Sequence, residues 1–265
     1  AHSGFIEVAL VEGEFEPRAF YAKRFARTPN DPEYLFVKAY LDARELPERP
    51  CGDDFDSTVD DITRWLEAAS EAAPNQAEIH HLWGYALHQR ARCRGDRRDA
   101  VDASRNYRLA LDLARDDPRT QAAVLRALAR LEASLGNHRS ALERLEARSR
   151  LPYLDPAGRL SATLAEARSR FFTGDTEGAI RRARDARAAV EELPALARFR
   201  PLVEDRLALY LSAAGSPEAA EPYARLLELY AENPDLGTPL NLVTAHLGLA
   251  AARLAEKPEA ALEHV

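Results

Sequence analysis

The chain has 265 residues, enough for one large domain or two ordinary ones. Ala 50, Leu 36, Arg 33, Glu 25 and Lys 3 make up 147 of them, above the roughly 50% share that marks long-helix proteins, so the composition points to an all-α fold. A charged fraction of 30%, a mean hydropathy of −0.40 and a net charge of −7 exclude a membrane domain and argue against nucleic acid as partner, while 46% hydrophobic content excludes a disordered chain.

A turn marker recurs along the chain. Gly95 precedes Ala100, Gly136 precedes Ala141, Gly174 precedes Ala179 and Gly215 precedes Ala220, each by five residues. Glu256 and Ala261 keep that spacing, and Gly52 and Gly13 extend the series backwards, with successive markers 39, 43, 41, 38, 41 and 41 residues apart. A Gly reaches the left-handed conformation that ends a helix, and Asp96, Asn137, Asp175 or Ser216 behind it is suited to cap the next helix. Each marker is therefore read as a tight turn between two helices, which makes residues 1–265 a single array of about seven helix-turn-helix units.

In chain order, the first unit turns at Gly13, with Pro17 opening its second helix, and closes at Pro29 and Pro32. The second turns at Gly52 and closes near Pro74; the third turns at Gly95 and closes near Pro118; the fourth turns at Gly136 and closes near Pro152. The fifth turns at Gly174 and closes near Pro194, and the sixth turns at Gly215, with Pro217 opening its second helix, and closes near Pro234. Pro222, inside that second helix, is expected to kink or shorten it. The last unit turns near Glu256 and is truncated within an apparently helical run, residues 259–265. With Ala1 at the start and no Met anywhere, the chain reads as a processed or excised piece. Small residues stand twelve positions before the second-helix Ala at Ala129, Ala167 and Ala208, and Gly84 takes this place opposite Ala100, which lets the paired helices approach closely.

These features resemble the tetratricopeptide repeat superfamily, with long repeats of about 41 residues against its usual ~34. Residues 74–78 leading into Leu82, Trp83 and Gly84, followed by Gly95 and Ala100, carry the likeness best, and residues 28–33 look like a repeat boundary of the same kind. The resemblance implies a right-handed α-solenoid of stacked antiparallel helix pairs, whose first helices line a concave groove for protein or peptide partners. In that register Phe36, Tyr40, Glu78, His81, Tyr85, His88, Arg126, Arg130 and Arg168 are the expected groove residues. Aromatic and histidine surface at one end suits apolar side chains, and arginines at the other suit an acidic partner. The competing reading pairs those arginines internally with Asp and Glu of neighbouring helices and leaves the histidines to packing.

The sequence lacks a phosphate loop, dinucleotide fingerprint, nucleophile elbow or His-Glu-x-x-His motif, so no catalytic residue, cofactor or metal is assigned. His81 and His88, seven apart on one helix, are separated by ~10 Å of rise, too far to share a zinc ion bound at ~2 Å. Arg90, Arg92, Arg94, Arg97 and Arg98 surround the turn at Gly95, where the helix dipole and Asp96, Asp99 and Asp102 account for them. Most aromatics before residue 60, including Phe15, Phe20, Tyr21, Phe25, Tyr34 and Phe55, are expected in the core, with Phe36 and Tyr40 the more exposed pair.

Cys51 and Cys93 stand one and two residues before successive turn glycines, at equivalent ends of neighbouring units. Helices pack ~8 to 10 Å apart, and the loop at residues 46–50 has the freedom to close that gap to the ~5.5 Å of a disulfide. A disulfide would indicate a periplasmic or secreted protein and free thiols a cytoplasmic one. The functional expectation is a non-catalytic protein- or peptide-binding scaffold or adaptor. The alternative is a regulatory or sensor module cut from a larger enzyme or transcription regulator. An uncapped last repeat also raises self-association through the C-terminal end.

Overall fold

A computed structural model describes residues 17–152 and 154–256 of the chain. The turn expected at Gly13, Phe15 and the run at residues 259–265 lie outside the described residues, as does most of the marker that begins at Glu256.

Among the described residues the regular structure is all helical. The α-helices are α1 (Pro17–Arg24), α2 (Pro32–Glu45), α3 (Asp53–Ala72), α4 (Ala77–Arg94), α5 (Arg97–Leu113), α6 (Pro118–Ser134), α7 (His138–Ser149), α8 (Pro156–Phe172), α9 (Thr176–Glu192), α10 (Arg200–Ala213), α11 (Ala220–Glu232) and α12 (Pro239–Glu256). Short 3₁₀ turns follow or precede them at Leu46–Glu48, Pro194–Phe199, Pro217–Ala219 and Pro234–Leu236. The chain forms two compact units, residues 1–135 and 136–265.

Local sequence explains where the helices begin and end. Asp31, Asp96, Asp117, Asp155, Asp175 and Ser216 each accept a hydrogen bond from a first-turn amide of the helix they open, satisfying donors that no helical carbonyl reaches. Asn137 makes no such side-chain bond to α7. Gly95, Gly136, Gly174 and Gly215 hold φ of 67°, 80°, 87° and 67°, the left-handed turn that a side chain disfavours. Gly52 does not belong with them: its φ of 165° is extended backbone. There α2 runs out through the 3₁₀ turn at Leu46–Glu48, and residues 49–52 carry the chain to α3, so a longer connection replaces the tight glycine turn.

The α-helix that holds Pro222 starts late, at Ala220. The segment opens as a 3₁₀ turn at Pro217–Ala219, and Pro222 then falls in the first turn of α11, where its missing N–H leaves no helical bond unmade.

In the unit of residues 1–135, Leu35, Ala39 and Ala43 of α2 pack against Phe55, Val59, Ile62 and Leu66 of α3 and Ile79 and Ala86 of α4. A second cluster joins Leu87 and Ala91 of α4, Ala100, Ala103, Tyr107 and Ala110 of α5, and Val124, Leu128 and Leu131 of α6. Tyr21 and Phe25 close the N-terminal side on Val37 and Leu41. Gly84 admits α5 closely, but its facing groups are Tyr107 and the Ala103 carbonyl rather than Ala100. A Cβ there would lie 2.7 and 2.8 Å from the Tyr107 ring carbons.

In the unit of residues 136–265, Ala167 of α8, Ala179 and Ala183 of α9, and Leu207, Ala208 and Leu211 of α10 share a core with Tyr223 and Leu226 of α11 and Ala245 and Ala252 of α12. Small residues at these contacts bring the axes together, and the tyrosines fill what remains. Consecutive helices pack on one another in each unit, and in the first unit the alternate helices α2, α4 and α6 also touch in sequence.

Candidate functional site

The face built by α4 and α6 in the first unit gathers six of the nine residues singled out from the sequence. Helix α4 presents His81, Tyr85 and His88 at spacings of four and three, which keeps them on one side, and α6 presents Arg126 and Arg130 one turn apart. Between them lies Tyr107 of α5, fully buried, its ring 5.9 Å from that of His81 and 6.4 Å, edge-on, from that of His88. Its hydroxyl has no hydrogen-bond partner among the described residues. The Nε2 of His88 lies 3.5 Å from the Ser134 hydroxyl, so α6 also meets the buried end of the row.

The floor of this face is neutral. Burial lowers the His81 pKa from 6.5 to about 4, with the charge of Arg126 acting the same way. Burial likewise takes His88 to about 4, helped by Arg130 and Arg92. Burial raises the phenol pKa of Tyr85, opposed by the nearby charges of Arg130 and Arg92 and by a hydrogen bond with Gln89. Tyr107 is also raised by burial, against Arg130. Around neutral pH the row therefore carries no charge of its own beneath positively charged guanidinium groups.

Several arginines of this unit are held by carboxylates. Arg90 grips Asp99 through two bonds of 2.8 Å and reaches Asp60 at 2.5 Å, Arg94 pairs with Asp56, Arg18 with Asp42 and Glu45, and Arg49 with Glu45 and Asp54. Arg126 and Arg130 are exposed, and among the described residues neither has a carboxylate within ion-pair distance. Arg92, on the same end of α4 as His88, bonds the Gln89 side-chain oxygen at 3.2 Å. Arg90 and Arg94 are two of the five arginines around Gly95.

Phe36, Tyr40 and Arg168 have other surroundings. Phe36 and Tyr40 stack at 6.3 Å and are half-buried, Phe36 against the α2–α3–α4 core and Tyr40 against the Tyr21–Phe25 cluster. Glu78, exposed in the first turn of α4 three residues before His81 and seven before Tyr85, stands on the same side as they do, so the face also carries a carboxylate of this chain. Arg168 belongs to the second unit, exposed on α8 with its guanidinium 5.7 Å from the Phe172 ring centre. His80 is buried, stacked on Trp83 at 6.4 Å, with Nδ1 3.4 Å from the Asn106 side-chain oxygen. Sequence reasoning missed Tyr107 and Arg92; the readable signal for Tyr107 was Gly84, a vacancy on α4 that implies a large group opposite.

Cys51 and Cys93 lie at disulfide distance, with Cα atoms 5.5 Å apart. The bond ties the connection after α2 to the last turn of α4, beside the Arg94–Asp56 pair.

No protein family and no curated protein matches the sequence. Among solved structures, the APC/C hetero-tetramer Cut9–Hcn1 aligns at a TM-score of 0.56 with 16% identity, over 92% of this chain and 43% of the other. Naa15/Naa10 bound to HypK-THB aligns over 88% and 35% at 18% identity, with a TM-score of 0.35, an overlap too loose to define a common fold. The chain spans less than half the length of either matched chain. The helices that pair consecutively in each unit, together with the overlap with the Cut9–Hcn1 structure, give this chain a tetratricopeptide-like helical-repeat fold of stacked antiparallel helix pairs.

Proposed function

We propose that the chain is a non-catalytic protein- or peptide-binding scaffold, and that the α4–α6 face of its first unit takes an acidic segment of the partner. The carrying observation is the pair Arg126 and Arg130: exposed, one turn apart and without a carboxylate among the described residues, in a chain whose net charge is −7. In so acidic a chain, unpaired arginines on one face are a matched site for carboxylates from outside, which guanidinium groups hold with two parallel bonds. The uncharged row of His81, Tyr85 and His88 offers aromatic and imidazole surface for apolar side chains beside those carboxylates. Phe36 and Tyr40 are half-buried against other clusters, which supports narrowing the site to α4 and α6.

Affinity capture with the intact chain identifies the partner, and capture is then repeated with Arg126→Glu combined with Arg130→Glu, and separately with Tyr85→Ala. Loss of the partner with helical circular dichroism unchanged is the expected result. Undiminished capture by both variants moves the interaction elsewhere and ends this assignment. The closeness of Cys51 and Cys93 supports a periplasmic or secreted setting, since cytoplasmic thiols are kept reduced.

A further inference from the structure

A cavity of ≈350 Å³ opens in the unit of residues 136–265, where the end of α9, the start of α10 and the end of α11 come together. Ligand pockets run from about 300 to about 1,000 Å³, so the occupant of this one is the size of an amino acid. Val190, Val203 and Leu229 give it an apolar wall, and three arginines and four glutamates complete the lining. Two of those arginines are already engaged. Arg187 holds Glu204, which is only 5% exposed, and Glu221 at 2.8 Å, while Arg225 holds Glu191 at 3.0 Å and Glu221 at 2.6 Å.

Arg200, Glu228 and Glu232 remain, and none of the three makes an ion pair among the described residues. Exposed charges without partners are ordinary on a protein surface; the placement of these is not. Glu228 and Glu232 stand one turn apart, where like charges repel, and at the C-terminal end of α11, whose free carbonyls disfavour anions. Arg200 is the first residue of α10, where free amides disfavour a cation. Side chain and helix end therefore reinforce one another at both places: negative potential at the end of α11, positive potential at the start of α10.

We infer that the cavity binds a free dibasic amino acid of the lysine or ornithine class, with its carboxylate on Arg200 and its two ammonium groups on Glu228 and Glu232. The charge count selects this class. One guanidinium and two carboxylates are left over, and a ligand with one carboxylate and two ammonium groups gives each of them a partner of opposite sign. A neutral amino acid leaves one glutamate unmatched, and a diamine leaves Arg200 unmatched. The methylene chain of the ligand is accommodated by the apolar wall. The site belongs to α9, α10 and α11 and is independent of the acidic-segment site on α4 and α6.

Equilibrium dialysis of the intact chain against radiolabelled L-lysine at neutral pH measures the binding directly. Saturation at one lysine per chain is expected below about 1 mM, the range for a ligand of this size held by charged contacts. Cadaverine lacks the carboxylate, norleucine the distal ammonium and Nα-acetyl-lysine the α-ammonium, so each should compete at least about ten-fold less well. Arg200→Gln should lower lysine affinity by a similar factor and leave the binding of radiolabelled cadaverine unchanged. Glu228→Gln combined with Glu232→Gln should remove both, with helical circular dichroism unchanged because these side chains are exposed. Absence of saturable lysine binding up to about 1 mM overturns the inference. Cadaverine competing as well as lysine also overturns it, because Arg200 then reads nothing. Equal competition by Nα-acetyl-lysine does the same, by assigning the cavity to the C-terminal lysine of a protein partner. Lysine binding that survives the double glutamate variant places the amino acid elsewhere and ends the assignment.

Discussion

His88 holds the clearest charge statement in the molecule, because a buried imidazole must stay neutral to remain where it is. Its folded pKa of about 4 lies below the ordinary 6.5, so the unfolded chain takes up the proton first as the pH falls. Stability from this group is fully present above about pH 6.5 and is lost as the pH falls from there towards 4. Between pH 7 and pH 5 the loss amounts to about 2 kcal/mol from His88, with His81 acting in the same direction. Unfolding free energies from urea titrations at the two pH values should therefore fall less in His88→Gln than in the parent chain, by roughly that amount. Equal falls in both proteins would mean that His88 accepts a proton in place. At this scale the resemblance supplied the register: it put His81, Tyr85 and His88 on one first helix and Arg126 and Arg130 on the next, and those helices are α4 and α6. The depth of each side chain was not readable, because it depends on Tyr107 of α5 filling the space left by Gly84, a contact between helices that spacing within one helix does not encode.

Whole elements followed from punctuation more than from periodicity. The glycines at 95, 136, 174 and 215 stand at left-handed turns, which few other residues tolerate, so their position is written directly in the chain. Gly52 shares their spacing but not their conformation, since Leu46–Glu48 turns first and the glycine is left in extended backbone. That longer connection depends on a tether. Cys51 and Cys93 are 42 residues apart in sequence, and closing a loop of that length removes ~4 kcal/mol of unfolded-state entropy on the chain-entropy account. Reduction should accordingly lower the thermal midpoint of the first unit by many degrees while leaving its helical signal at room temperature, and Cys51→Ser with Cys93→Ser should reproduce the shift without reductant. The check is a melt followed with and without dithiothreitol, alongside mass analysis of the alkylated, unreduced chain. Labelling of both thiols before reduction would show that the bond is absent from the native protein.

At the scale of the molecule, an array of helix pairs is held together by neighbours, so its stability divides among local clusters rather than residing in one centre. The clusters divide cleanly here. Leu35 to Ala86, Leu87 to Leu131 and Tyr21 to Leu41 serve residues 1–135, whereas Ala167 to Ala252 and Leu160 to Val203 serve residues 136–265. Each unit has the length of an ordinary domain and its own buried aliphatic and tyrosine side chains, the two conditions for independent folding. Sequence markers alone did not reveal this division, because the turn at Gly136 has the same spacing and the same left-handed glycine as the turns within each unit. Expressed separately, residues 1–135 and residues 136–265 should each give a helical spectrum and a cooperative urea transition, with the first retaining the Cys51–Cys93 bond. The two midpoints need not agree, and the less stable fragment should account for the earlier part of any two-step transition in the intact chain. A first fragment without cooperative unfolding, under conditions where the intact chain unfolds in one sharp step, would show that the clusters on either side of Leu135 depend on each other and that the array behaves as one body.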